Sequence, residues 1–568
     1  MPSLEKLLTQ LEESKRQFGQ DGNRTQKLLT QLGKVTFGDV DLLIRFHEAL
    51  LFVRSHPQRL SAFRESEKLL SSFADRVEFI RTKGTDLTPT DYIEYSGIAG
   101  TTICGTFSYE IVRLLLEQFP GRVTADWSSA QPERMGSTLP RFLPLLYEDS
   151  LVEANIPYVR WLRAASGQKG RGLEWLVKRF EGLNIEERQK AELYDSLGLR
   201  IRWKLGHSKA SRTLNKLDVR KPFYHTRPLI RRNEVSLDVE FQSPGLEVKQ
   251  LSRARGKAMQ DMLRQATTVR YRELYGITHG DPDTVVRTNV GRGVEIFLWG
   301  LPPKRRLPLR AYHAGFTLKN GVPINYIEGI TICDRMEVGF NTFYTFRDGE
   351  SAWVYSKVLK LLHQIVGVTC ISIDPYQLGF NNDEAIESGA FWFYRKLGFR
   401  PTRPELAKLM AREEKKIASN PRYRTSAQVL RLLSAWNVVY EAPGSRRGDW
   451  DSFSIRNIGL AVQSRMAKEF GSDAEQIRLS SRRLVSRVLK LKVRSFTEAE
   501  LRAFDDLALM LGLIPGFLQW RASEKKGVAE VVHSKIRAAE SKYARLLQNH
   551  AKLRAAIIDL GKPDSRLV

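Results

Sequence analysis

The chain has 568 residues, a length that points to about three or four domains, each able to bury a core without disulfide or metal staples. Lys+Arg of 90 against Asp+Glu of 64 gives a formal net charge of +26, which favours an acidic partner: nucleic acid, an anionic membrane surface or a phosphorylated ligand. A hydrophobic fraction of 42% and a charged fraction of 27% exclude wholesale disorder and collagen, and no run of about 18 apolar residues offers a membrane span.

The N-terminal MPSLEKLLTQLEESKRQ lacks the basic-then-apolar pattern of a signal peptide. Cys104, Cys333 and Cys370 lie far apart with no CxxC pairing, which suits a reducing compartment; a soluble, cytoplasmic protein is expected.

Residues 1–215 are expected to form a helical domain. Leu4, Leu7, Leu11 and Phe18 share one helical face, and Leu42, Leu43, Phe46, Leu50 and Leu51 share another. The stretch IEYSGIAGTTICGTFS, from Ile93, brings Gly97, Gly100 and Gly105 together without the Gly-Lys-Ser/Thr of a phosphate loop, so close helix packing is expected there. Gly and Pro cluster over 120–140, a connection anchored by Trp127. Residues 200–232 then carry eleven Lys/Arg interleaved with Trp203, Phe223 and Tyr224. Two readings stand open: a patch that tracks phosphates and stacks bases, such as those of tRNA, or a solvated linker.

A central domain is expected over 216–402. The segment Val235 to Phe241 could supply its first strand, and about Val248 to Tyr275 its helices. From about 290 the apolar period changes to two. Strands are predicted at Val294–Trp299, Leu309–Leu318, Val322–Cys333 and Glu337–Phe346, with Asn320-Gly321 as a tight hairpin turn. A helix opens at Ser351 and ends at Gly367, a buried strand follows to Ile373, and a further helix spans Asp383 to Leu397.

Residues 403–568 return to helix. Ser472–Glu475 and Thr497–Glu500 read as capping boxes. Between them the basic amphipathic stretch 478–494 is either a core-packed helix with a solvated face or a second phosphate- or membrane-binding element. The last segment spaces Val532, Ile536, Ala539, Tyr543, Leu546, His550, Leu553 and Ile557 as heptads over 532–557. That is either a coiled-coil seam for a partner or a face packed on this protein's own helices.

Within the central domain, Phe391-Trp-Phe-Tyr-Arg-Lys-Leu-Gly-Phe399 resembles the helix-and-stop of the GNAT acyltransferase superfamily, and the order of elements over 290–400 is similar. The resemblance implies an α+β fold, a central GNAT-like mixed sheet flanked by helical regions, and transfer of an acyl group from acetyl-CoA or another acyl-CoA to an amine acceptor that the sequence does not name. The family's Gln/Arg-x-x-Gly-x-Gly/Ala cofactor loop aligns with Phe346, Gly349 and Ser351, with Arg347 adjacent. Free amides at the start of the Ser351 helix would receive the diphosphate. By the same resemblance Tyr394 would protonate the leaving thiolate, and backbone amides at the end of the preceding strand would hold the acyl carbonyl. Glu337, and after it Glu328, would relay the amine proton. Asp374, Tyr376, Asn381 and Asn382 would contact the cofactor or shape a polar loop. The nine histidines make no HExxH or Cys/His ligand set, so no metal is expected. Two further readings accompany this one. One is a related Fem-type transferase using aminoacyl-tRNA; the other is a non-catalytic nucleic-acid-binding or scaffold protein with a degenerate domain of this kind.

Overall fold

The computed structural model describes residues 3–18, 22–84, 95–167 and 171–563. Its contacts divide the chain into two compact units. The first is Met1–Pro228 with Ala258–Thr278 and Lys319–Pro323; the second is Leu229–Lys257, His279–Leu318 and Ile324–Val568.

The first unit is mainly helical. Its opening helices are Leu4–Ser14, Gly22–Gly33, Val40–Ser55, Leu60–Ser71 and Phe73–Thr82. Ser3 and Asp39 cap the first and third by accepting from Lys6 N and Leu42 N. Val40–Ser55 is buried almost all round, and the charges it carries inside must be paired. His47 Nδ1 lies 2.9 Å from Glu48 Oε1, Arg212 reaches the same carboxylate, and Arg54 pairs with Glu67 at 2.6 Å.

The glycine-rich stretch is itself a turn and a strand, but it meets a helix closely as its small residues suggest: a Cβ on Gly100 would come 2.9 Å from Val77 of Phe73–Thr82. Gly97 sits at φ +83°, and a Cβ there would come 2.7 Å from Val269, so both backbone and space call for glycine. β1 (Thr102–Thr106) follows, and with β2 (Val123–Ala125) and β3 (Arg200–Lys204) it forms an antiparallel sheet in the order β1-β3-β2. Ile93 and Glu94 of that stretch lie outside the described residues.

The second unit holds a large mixed sheet with helices around it. Its strands are β4 (Lys249–Gln250), β5 (Val286–Gly291), β6 (Val294–Trp299), β7 (Ala311–Lys319), β8 (Val322–Ile332), β9 (Arg335–Thr342), β10 (Cys370–Ile373), β11 (Arg400–Pro401) and β12 (Val438–Glu441). Their order is β11-β12-β10-β9-β8-β7-β6-β5-β4. Asn320 and Gly321, at φ +47° and +79°, make the β7–β8 turn as their types predict. β8 and β9 are antiparallel, whereas β9 and β10 are parallel, joined through the helix Ser351–Val366 that ends at Gly367. That helix packs Tyr355, Val358, Leu359 and Leu362 into one core with Met336, Val338, Ile371 and Phe399.

Several elements depart from the sequence pattern. Val235–Phe241 is not a strand: Ser236 accepts from Val239 N and starts the helix Leu237–Gln242, burying Leu237 and Phe241 one turn apart. β9 stops at Thr342, four residues before Phe346, and a 3-10 turn at Tyr344–Phe346 follows. The helix expected over 383–397 is two, Asp383–Glu387 and Ala390–Arg395, parted at Gly389. β11 and β12 follow Phe399, where the sequence signals no strand.

The C-terminal region is helical, with caps at Asp473, one residue past Ser472, and at Thr497 with Glu500. The heptad segment is not one helix but three, Ala522–Arg537, Glu540–Asn549 and Ala551–Leu560. Arg306 takes the carbonyl freed at Lys535, and the His550 imidazole accepts from Leu553 N to restart the helix. Val532, Ile536, Tyr543, Leu553 and Ile557 are buried in this unit's own core. Among the described residues no helix is long and apolar enough to cross a membrane.

Candidate functional site

The parallel pairing of β9 with β10 lasts three residue pairs, from Cys370 opposite Arg335 to Ser372 opposite Glu337. β10 then ends, while β9 runs on to Thr342 with its backbone turned toward a gap. Asp374 accepts from Tyr376 N, and Pro375 sits at the first helical position, so the chain leaves β10 in a short helical turn, Pro375–Leu378. That turn delivers Gln377 into the gap. Its Oε1 accepts from Phe340 N at 3.4 Å, and its Nε2 donates to Val338 O at 3.1 Å. One carboxamide thus stands where the next strand's peptide group would be.

Tyr394 is the sequence candidate that this geometry brings in: its hydroxyl donates to Gln377 Oε1 at 3.5 Å. The ring is held edge-on against Tyr355 and Phe399, and burial pushes the hydroxyl far above the usual tyrosine range. Such a phenol keeps its proton, which suits donating a hydrogen bond better than giving the proton away.

The two carboxylates differ. Burial works to raise the pKa of Glu337, but Arg335 and Arg310, each 2.9 Å away, outweigh it and hold it below the usual range. Glu337 is a clamped anion and a weak base. Glu328 is raised by burial, against the hydrogen bond it accepts from Tyr312. It sits opposite Gly339 in the β8–β9 ladder, and a Cβ on Gly339 would lie 3.7 Å from Glu328 Cβ and 3.8 Å from Gln377 Nε2. Of the two carboxyls, Glu328 is thus the one that its surroundings leave the stronger base.

The turn before the Ser351 helix was expected to hold a diphosphate. Phe346 is buried in the 3-10 turn, and Gly349 N donates back to Phe346 O at 3.0 Å. Arg347 is exposed, donates to Thr342 O and pairs with Glu384. Ser351 opens the helix, whose first amides have no partner within it. Glu350, at the cap position, is buried, pairs with Arg292 and accepts from Ile230 N at 3.1 Å. Glu350 and Glu384 bring two carboxylates to the turn, paired with Arg292 and Arg347, so a dianion bound there would compete with them for those arginines. Asn382 caps the Asp383 helix and donates to Tyr376 O at 3.0 Å, so it shapes the loop.

The basic segments divide between structural and exposed charge. In the first unit Trp203 is fully buried, Phe223 packs on His225 and Lys319, and Arg212 and Lys216 pair with Glu48 and Glu67. Arg202 and Lys204 face solvent from β3. In the second unit Arg478 and Arg482 pair with Asp506 and Asp505, while Arg483 and Arg487 are exposed. No group of three or more His, Cys, Asp or Glu among the described residues is placed to hold a metal.

Sequence reasoning missed Gln377. Its signal is the Asp374-Pro375 pair, which caps a helical turn and so aims the third residue back at the neighbouring strand. No protein-family model matches the chain, and no curated protein or solved structure does.

Proposed function

We propose that the second unit is an acyltransferase of the GNAT kind, joining an acyl group to an amine at the gap beside β9. The observation that carries this reading is the Gln377 carboxamide. It bonds an unpaired strand amide, Phe340 N, and a buried tyrosine hydroxyl, Tyr394, and so occupies a place made for one carbonyl oxygen. An acyl carbonyl taking that place would receive both donors, which are aimed where negative charge develops as an amine attacks. Glu328, raised by burial, would take the amine proton and return it to the thiolate or ribose oxygen released as the donor's C–S or C–O bond breaks. The order of meander, turn, helix, parallel strand and Phe-Tyr-containing helix supports the same reading.

Two donors are in play. Acyl-CoA is the donor that the family resemblance implies. The second is an aminoacyl-tRNA, whose phosphates would be followed by exposed cations such as Arg483 and Arg487 instead of by the Ser351 helix. Calorimetric titration with acetyl-CoA and filter binding of aminoacyl-tRNA separate them. Saturable heat with acetyl-CoA selects the thioester, and tRNA retention that falls steeply with salt selects the ester. With either donor, Tyr394→Phe is expected to cut turnover about a hundredfold without loss of stability. A folded protein that transfers no acyl group from either donor ends the catalytic reading and leaves the binding-module one.

A further inference from the structure

A second place in the sheet unit has the form of a ligand site. A cavity of about 440 Å³ opens between the start of the Leu237–Gln242 helix, the chain from Arg395 to Arg400, and β12. Its volume lies in the range of small-molecule pockets. Its lining is mainly polar, and Val235, Leu237, Leu397 and Val439 supply the apolar part.

Its acidic groups are already satisfied. Asp238 accepts from the Tyr440 hydroxyl at 2.7 Å. Glu441 is held by Arg400 at 2.7 Å and by Gly448 N at 2.7 Å, and Arg400 is also taken up by Asp451. The cations at the mouth are not. Among the described residues neither Lys396 nor Arg447 has a carboxylate partner. Desolvation, then Arg232 and Arg424, lower the pKa of Lys396, so those guanidinium groups lie close to it, and neither has a carboxylate partner either. Gathering like charges beside a cavity costs energy that a bound anion would offset.

We infer that this cavity binds a small phosphorylated molecule, its phosphate held by Lys396 and Arg447 and its apolar part set against Val235, Leu237 and Val439. The cavity shares no lining residue with the gap at Phe340 or the turn at 346–351, so the inference stands apart from the acyl-transfer reading. The Tyr440–Asp238 pair at its wall can accept a hydroxyl or amino group of the ligand.

The probe is inorganic pyrophosphate, titrated calorimetrically into the full-length protein. One saturable site per chain is expected, weakened about tenfold or more in the Lys396→Gln/Arg447→Gln double variant. Lys304→Gln and Lys526→Gln, which remove exposed charge elsewhere, should bind as the parent does. Both residues of the double variant are exposed, so an unchanged unfolding midpoint is expected and would show that the fold is kept. The inference is overturned by the absence of saturable heat at millimolar pyrophosphate, by equal binding in the double variant, or by an equal loss in either control.

Discussion

The Val40–Ser55 helix of the first unit and the Ser351–Val366 helix of the second have the same length, and both are buried along most of their surface. They carry different groups inside. The first brings in His47, Glu48 and Arg54, which meet Thr213, Arg212 and Glu67. The second brings in one cation, Lys360, whose ammonium is met by the carbonyls of Phe241 and Ser243 at 2.8 and 2.7 Å. The rest of its inner face is Ala, Val, Leu, Tyr and Ser. The first helix therefore ties distant parts of its chain together through charge, and the second through apolar packing and backbone carbonyls. Ionic ties lose most when one partner goes, because the other is left buried and charged.

The comparison is broken most deeply by Arg212→Met. The buried Glu48 carboxylate then loses its guanidinium partner, and a loss of about 3–5 kcal/mol is expected in urea unfolding of the full chain. A change below about 1 kcal/mol would show that the network is incidental.

His47 sharpens it through pH. Burial, against the pull of Glu48, lowers its pKa from 6.5 to about 4. Between those values the unfolded chain binds the proton and the folded one does not. The stabilising contribution is therefore complete above 6.5 and is lost as pH falls toward 4, on the order of 3 kcal/mol. Asp195, raised to about 6 by burial, has the opposite slope, so the measurement is the stability difference between the parent and His47→Gln across this window. A flat difference would refute the buried neutral imidazole.

Lys360→Met is the matching change in the second unit. It leaves two carbonyls without a donor but no naked charge, and about 2 kcal/mol is expected. A loss equal to that of Arg212→Met would erase the contrast. The smallest effect belongs to Tyr355→Phe. The Tyr355 hydroxyl is buried with no hydrogen-bond partner among the described residues, so its removal should be neutral or stabilise by up to about 1 kcal/mol in the same unfolding experiment.

What the sequence disclosed follows from local rules. β6 is found at Val294–Trp299 to the residue, because Val, Ile, Phe and Trp dominate a six-residue run bounded by turn types. The Asn320-Gly321 turn and the Gly367 helix end follow from backbone preference alone. Val235–Phe241 misled because Val, Leu, Val and Phe alternate there; Val239 is 68% exposed, and only Leu237 and Phe241 face inward. The heptad segment misled because its spacing survives two breaks, one met by Arg306 from another part of the chain and the other by His550 within the segment. Tyr394 stands out in the sequence through the resemblance carried by Phe391–Phe399, and its hydroxyl meets Gln377. The clamp on Glu337 does not show in its own strand pattern because Arg310 lies twenty-seven positions away, and Gln377 reads as part of a polar loop.

The way the chain shuttles between its two units has a consequence for synthesis. The first unit takes in residues 258–278 and 319–323 as well as the leading 228. A ribosome must therefore have passed residue 323 before that unit holds all its parts, although most of it emerged long before. Domains usually mature in order of emergence. Here the leading portion must wait, unfinished, while the beginnings of the second unit are translated, and a truncation at residue 228 would yield an incomplete body instead of a separable module.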